Sequence, residues 1–162
     1  MSWSDLDLDQ HAVRIRRSLT DTNDGLKFKE PKNGRPRTIT LPPTLVAVLR
    51  SARSEQEKDR TFFESAYQDH DLVFACPDGK PVPPWTFTAS FRYLVQRAKV
   101  PRIRLHDLRD THVSLLGKHG VPLEVVSKRL GHATIGITAE RYLHVYRERD
   151  EEAAAVFERL AG

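Results

Sequence analysis

The sequence predicts an α+β fold, mainly α, in which a small three-stranded antiparallel sheet packs on a helical bundle. Three observations predict it. Period-two alternation is confined to residues 13–41. Pro42-Pro43 closes that region, since proline cannot extend a sheet interior. From Thr44 onward apolar residues recur at spacings of three and four, with Gly and Pro between successive runs.

Each element follows in order. Val13, Ile15 and Arg17 alternate with Arg14 and Arg16, which reads as a strand. Leu26 and Phe28, separated by Lys27, read as a second strand, Asn33-Gly34 as a hairpin turn, and Arg37 to Leu41 as a third strand. The sheet is expected to carry basic side chains on one face. Thr44 is a candidate cap for a helix through Leu45, Val48, Leu49 and Ala52, with helical character resuming at Phe62-Phe63. Within 50–71 little else is patterned. Leu72 to Ala75 is a short apolar run closed by a Pro77-Asp78-Gly79 turn. A helix from Trp85 to Lys99 aligns Phe87, Phe91, Leu94 and Val95, with Trp85 and Phe91 read as core, and Pro101 stops it. Leu105 to His119 is helical, with Leu108, Val113, Leu115 and Leu116 mostly inward and Gly120 as C-cap. Pro122 opens a short helix through Leu123, Val126 and Leu130, which Gly131 ends. Thr138 is placed to cap the segment leading into Tyr142, and a last helix covers 145–160.

The chain has 162 residues, 39% hydrophobic and 30% charged, enough for one core and ordinary for a soluble domain. The single cysteine, Cys76, excludes an intramolecular disulfide and fits a reducing compartment. The acidic start Met1-Ser2-Trp3-Ser4-Asp5 lacks the basic and apolar regions of a signal peptide. No apolar run approaches the roughly 18 residues of a membrane span, so the expected location is the cytoplasm. Net charge is +4, but residues 11–41 carry 8 Lys/Arg against 3 Asp/Glu and residues 80–130 carry 10 against 3. Two basic stretches on an otherwise balanced chain suit a surface that faces phosphates.

The chemistry-bearing residues come in a fixed order: His106-Asp107-Leu108-Arg109, Leu130-Gly131-His132, then Tyr142. His106 and Arg109 are three apart and share a helix face. Arg109 offers a bidentate fork to two phosphate oxygens, and His106 donates to or exchanges a proton with the same group. His132 follows a glycine helix stop. A tyrosine hydroxyl titrates near pH ~10 and is a poor nucleophile unaided. Attack on a phosphodiester therefore needs charge stabilisation, which suits Arg109 and His132, and an acid for the departing alkoxide. Lys32, beside the Asn33-Gly34 turn, is placed for that acid, with Lys29 as its rival. Tyr146 is the rival to Tyr142. His106, His112 and His119 are spaced too far apart along one helix to meet at one ion, and no cysteine pair joins them, so no metal site is expected. Arg102 and Arg104 precede the first motif as candidate phosphate contacts.

These residues carry a resemblance. His106 to His112, then Gly120-Val121, Val125 to Ser127, Leu130 to His132 and Thr138 to Val145, resemble the C-terminal catalytic domain of the tyrosine recombinases, or phage integrases. Lys32 to Pro42 resembles the family's β-hairpin lysine segment, and Trp3 to Leu8 the start of its first strand. The likeness covers essentially residues 1–162. It implies an integrase catalytic-domain fold and site-specific DNA strand cleavage and rejoining. Tyr142 would attack the scissile phosphate and form a 3′-phosphotyrosyl link. Arg109 and His132 would hold the phosphate oxygens, His106 would assist proton transfer, and Lys32 would protonate the 5′-hydroxyl. Arg35, Arg37, Arg102, Arg104, Lys128 and Arg129 would contact DNA. The implied partners are double-stranded DNA at recombination sites and further copies of the chain in a synaptic tetramer, in which the apolar stripe Ala153 to Phe157 and Leu160 would dock on a neighbour or on its own domain. No cofactor or metal is implied.

The family's first catalytic arginine, and an acidic residue after it, lie before the tryptophan that Trp3 resembles, where only Met1 and Ser2 stand. Arg14, Arg16 and Arg17 lie after that point and do not replace it. The expectation is a catalytic domain lacking its first helices and an N-terminal DNA-clamping domain. Loss of such a charge-stabilising group costs on the order of 10² to 10⁵ in rate. Weak or absent turnover is therefore expected of the chain alone. The alternative is a catalytically silent, truncated DNA-binding remnant or a regulator of recombination sites.

Overall fold

The computed structural model describes residues 1–22, 25–29, 36–140 and 150–161. The chain divides into two compact units, Met1–Ser90 and Phe91–Gly162.

The first unit holds the sheets. A 3₁₀ turn at Trp3–Asp5 leads into β1 (Leu6–Asp7), β2 (Ala12–Ile15), β3 (Ser18–Thr22), β4 (Gly25–Lys29) and β5 (Arg37–Thr40). The fold class is as expected, with a different composition of strands. The three-stranded antiparallel sheet runs β1-β2-β5, while β3 and β4 form a separate two-stranded hairpin inserted between β2 and β5. The Leu26 to Phe28 segment therefore belongs to the hairpin, and Leu6–Asp7 supplies the third strand of the sheet. β2 stops at Ile15 because the next two residues turn to other partners. The Arg16 guanidinium pairs with the Asp5 carboxylate, and Arg17 Nη2 donates to Ser2 Oγ at 2.8 Å.

The register aligns Val13 with Ile39, Arg14 with Thr38 and Ile15 with Arg37. Directly opposed residues share a face. Val13, Ile15, Ile39 and Arg37 therefore lie on one side and Arg14 on the other, so the expected single basic face does not form. The apolar side joins the core made by Val13, Leu41, Val46, Leu49 and Val73.

Asp5 is buried and Ser2 donates its backbone N–H to the carboxylate at 3.2 Å. Burial alone would raise this carboxyl. The Arg16 hydrogen bond, the Ser2 N–H and the charges of Arg16 and Arg17 together outweigh burial and hold it below the usual carboxylate range. Its folded pKa is depressed, so its stabilisation is present at neutral pH and is lost as pH falls through the carboxylate range. Asp5→Asn is expected to destabilise the fold by about 1–3 kcal/mol at neutral pH. The gap in urea midpoint between variant and wild type should close on acidification.

α1 (Pro43–Phe63) starts on Pro43, a residue suited to the first helical position, with Pro42 at the N-cap. Thr44 lies inside the first turn and does not cap it. The helix is continuous through most of the segment that lacked a pattern in the sequence. Its later turns are polar and carry Lys58–Glu55 at 2.7 Å and Arg60–Glu57 at 3.7 Å, pairs one turn apart. Arg53 stacks over the Trp3 ring at 5.5 Å, and Gln56 Nε2 donates to the Leu72 carbonyl at 3.0 Å. Leu72 and Val73 are buried, as the apolar run required. Gly79 closes the turn after that run at φ 85°, and a Cβ there would stand 2.3 Å from the Gln68 carbonyl oxygen, so no other residue fits.

α2 (Pro84–Arg97) matches the expected helix. Trp85 is 66% exposed and does not enter the core, whereas Phe87 meets Phe74 edge-on at 5.4 Å. The second unit continues with α3 (Asp107–Lys118), α4 (Leu123–Leu130), α5 (the helical residues 135–140) and α6 (Asp150–Ala161). Val113 of α3 and Val126 of α4 are fully buried and pack with Leu130, flanked by Leu116 and Val121. Leu108 and Leu115, expected inward, are exposed. Val126→Ala removes two methyl groups from a small core, and a loss of about 2–3 kcal/mol in urea unfolding is expected. On α6, Phe157 and Leu160 are exposed.

Candidate active site

α3 positions the first motif. His106 sits at its N-cap, with φ −67° and ψ −29°, and its carbonyl accepts the Arg109 N–H at 3.0 Å. Arg104 is tied to the same turn. Its backbone N–H and Nη2 each donate to the Asp107 carboxylate at 2.7 Å. The side-chain hydrogen bond, then the backbone one and the Arg104 charge, hold the Asp107 carboxyl below its ordinary range. Arg104, expected as a phosphate contact, braces the helix start in this structure. Arg102 is exposed.

Arg109 is half-buried and Nη2 donates to the Leu130 carbonyl at 2.7 Å. Leu130 is the last residue of α4, where carbonyls lack intrahelical partners and the helix dipole is negative. The guanidinium satisfies one such carbonyl, and this is its single hydrogen bond among the described residues. A guanidinium has five N–H donors.

α4 ends as the sequence predicts. Gly131 is left-handed at φ 72° and ψ 37°, and its N–H closes on the carbonyls of Ser127 and Lys128. The His132 N–H then donates to the Ser127 carbonyl at 3.2 Å. Gly131→Ala is expected to cost about 1 kcal/mol, since a Cβ disfavours the left-handed region. The loss is read as a shift in urea midpoint.

The His132 ring is anchored from α5. Its Nδ1 lies 2.6 Å from Thr138 Oγ1, and Thr138 is fully buried. Thr138 is therefore an interior member of α5 and not a cap. Its pairing with His132 had no signal in the sequence, because six residues and a helix start separate the two. Lys128 is exposed and Arg129 half-buried in the last turn of α4. Desolvation, then the Arg129 charge, holds the His112 imidazole below its ordinary value. Arg37 is half-buried on β5.

The structure thus ties Arg109 to the residue two before His132. Tyr142, Lys32 and Arg35 lie outside the described residues, as do Tyr146, His144 and the Asn33-Gly34 turn. Among the described residues, no group of His, Cys, Asp or Glu is arranged to hold a metal ion, and no helix is long and apolar enough to cross a membrane.

Relatives place these elements in a lineage. The chain is 29% identical over 158 residues to a XerC-like tyrosine recombinase of Caldanaerobacter subterraneus, covering 90% of this chain and 40% of the relative. It is 32% identical over 129 residues to an integrase of Streptomyces ambofaciens, covering 75% of this chain and 32% of the relative. The chain thus spans two-fifths or less of the length of either relative. The integrase of transposon Tn1549, solved in complex with a circular intermediate DNA, superposes with a TM-score of 0.78 at 19% identity, covering 98% of this chain and 52% of that one. XerA recombinase superposes with a TM-score of 0.67 over 93% of this chain and 50% of that one. A model of the phage integrase family matches residues 1–149, which include both motifs and Tyr142, and the chain belongs to that family.

Proposed function

We propose that this chain is the catalytic portion of a site-specific DNA recombinase that cuts and rejoins duplex DNA through a 3′-phosphotyrosyl intermediate. One observation carries most of the reading: the Arg109 hydrogen bond to the Leu130 carbonyl, which locks the first motif to the second. A cation and an imidazole held beside one helix end suit the charge that builds on phosphate oxygens during attack. Tyr142 is the nucleophile, Arg109 and His132 hold the non-bridging oxygens, His106 assists proton transfer, and Lys32 protonates the 5′-oxygen that departs. The phosphotyrosyl bond conserves the energy of the phosphodiester, so a returning 5′-hydroxyl reseals the strand.

The DNA contacts assigned to Arg35, Arg37, Arg102, Arg104, Lys128 and Arg129 position the duplex through its phosphates. The recombining assembly is a tetramer of such chains on two duplexes. The exposed Phe157 and Leu160 of α6 are suited to docking on a neighbour.

The test is covalent capture from a pool of randomised duplexes carrying nicks, from which the short cleaved fragment diffuses away and traps the intermediate. Long incubation lets slow cleavage accumulate. An SDS-resistant protein–DNA adduct is the expected result. Salt-sensitive binding with no adduct would overturn the enzymatic reading and assign the chain a DNA-binding role.

A further inference from the structure

We infer that Thr138 is a positioning residue whose buried hydroxyl donates to Nδ1 of His132, keeping the imidazole proton on Nε2. A phosphate oxygen then meets an N–H at Nε2, and His132 can donate to it without first being protonated. The consequence for phosphate rests on the recombinase reading above; the tautomer itself does not.

His132 is held from two helices. Its backbone N–H is bound to the Ser127 carbonyl of α4, and its ring nitrogen Nδ1 lies 2.6 Å from Thr138 Oγ1 of α5. The Thr138 end of the contact is fully buried. Which atom carries the proton follows from counting partners. Among the described residues the Thr138 hydroxyl makes one hydrogen bond, to His132.

Two other helical threonines of this chain behave differently. The hydroxyls of Thr61 and Thr111 donate to the carbonyls four residues back, Glu57 and Asp107. Thr138 makes no such bond. If its oxygen accepted a proton from Nδ1–H, its own O–H would be buried with no acceptor, an arrangement that folded proteins avoid. If it donates to Nδ1, that proton is satisfied and the neutral ring must carry its hydrogen on Nε2. The same logic orients histidines elsewhere, where the partner of one ring nitrogen decides what the other can do.

The experiment is long-range ¹H–¹⁵N correlation on the full 162-residue chain labelled in histidine, above the pH at which the ring is protonated. The expected result for His132 is an Nδ1 at the frequency of an unprotonated acceptor nitrogen and a protonated Nε2. Thr138→Val keeps the shape and removes the donor, so the ring should move to a mixture of tautomers. Thr138→Ser restores the hydroxyl and should return the wild-type pattern.

An Nδ1–H tautomer in the wild type would overturn the inference, and that reading needs no variant to fold. An unchanged pattern in a folded Thr138→Val would overturn it equally. In the capture assay, Thr138→Val should slow adduct formation by about 10- to 100-fold with unchanged DNA affinity, and Thr138→Ser should rescue it. The expected tautomer with no adduct from any protein would support the Thr138 contact and count against the recombinase reading alone.

Discussion

Replacing Arg109 with alanine is expected to slow covalent attachment to DNA by on the order of 10³-fold, a loss typical of removing one charge-stabilising donor from a phosphoryl-transfer site. Two effects combine in this side chain. One guanidinium nitrogen satisfies the Leu130 carbonyl at 2.7 Å and holds α3 to the end of α4. The planar fork leaves further donors for two phosphate oxygens, which a point charge cannot match. Arg109→Lys should therefore recover part of the rate and not all of it. The structural share is small. Loss of one partner for a helix-end carbonyl costs about 1 kcal/mol, to be read as a shift in urea midpoint. Duplex affinity should change little, because the other basic residues proposed to contact phosphates are unchanged. A full rate from a stable Arg109→Ala protein would remove Arg109 from the active site.

Tyr142→Phe is expected to abolish the adduct while leaving DNA binding intact. The substitution removes only the phenolic oxygen. A phenol titrates near pH ~10, so an active tyrosine depends on the cations around the phosphate. Tyr146→Phe serves as the control and should leave the adduct in place. Peptide mapping of the captured DNA should assign it to residue 142. An adduct that survives in Tyr142→Phe and vanishes in Tyr146→Phe would move the nucleophile by four residues along the chain.

Much of the second unit was legible because its signals are local. Gly131 had to end α4, since only a residue without Cβ is at ease at φ 72° there. Pro122 and the spacing of Val126 and Leu130 defined the helix before it. The first unit was read less well. Leu6–Asp7, a strand start expected from the resemblance alone, is too short to show a period of its own, and nothing local shows that it pairs as the third strand of the sheet. Most of α1 beyond its first turns has no apolar stripe to read, and it is held by ion pairs one turn apart and by contacts with Trp3 and Leu72. Trp85 reads as a core residue in the sequence, and it is exposed.

The sequence by itself determined the fold class, the helix boundaries set by Gly and Pro, and the ordered motifs that mark the family, because each is written in neighbouring residues. Tertiary structure alone decided which strands pair, that Asp5 takes Arg16 out of the sheet, that Arg109 anchors on Leu130, and that Thr138 holds the His132 ring. Those are contacts between segments. A residue shows in the sequence what it can donate or accept, and only packing brings it within reach of the partner that does so.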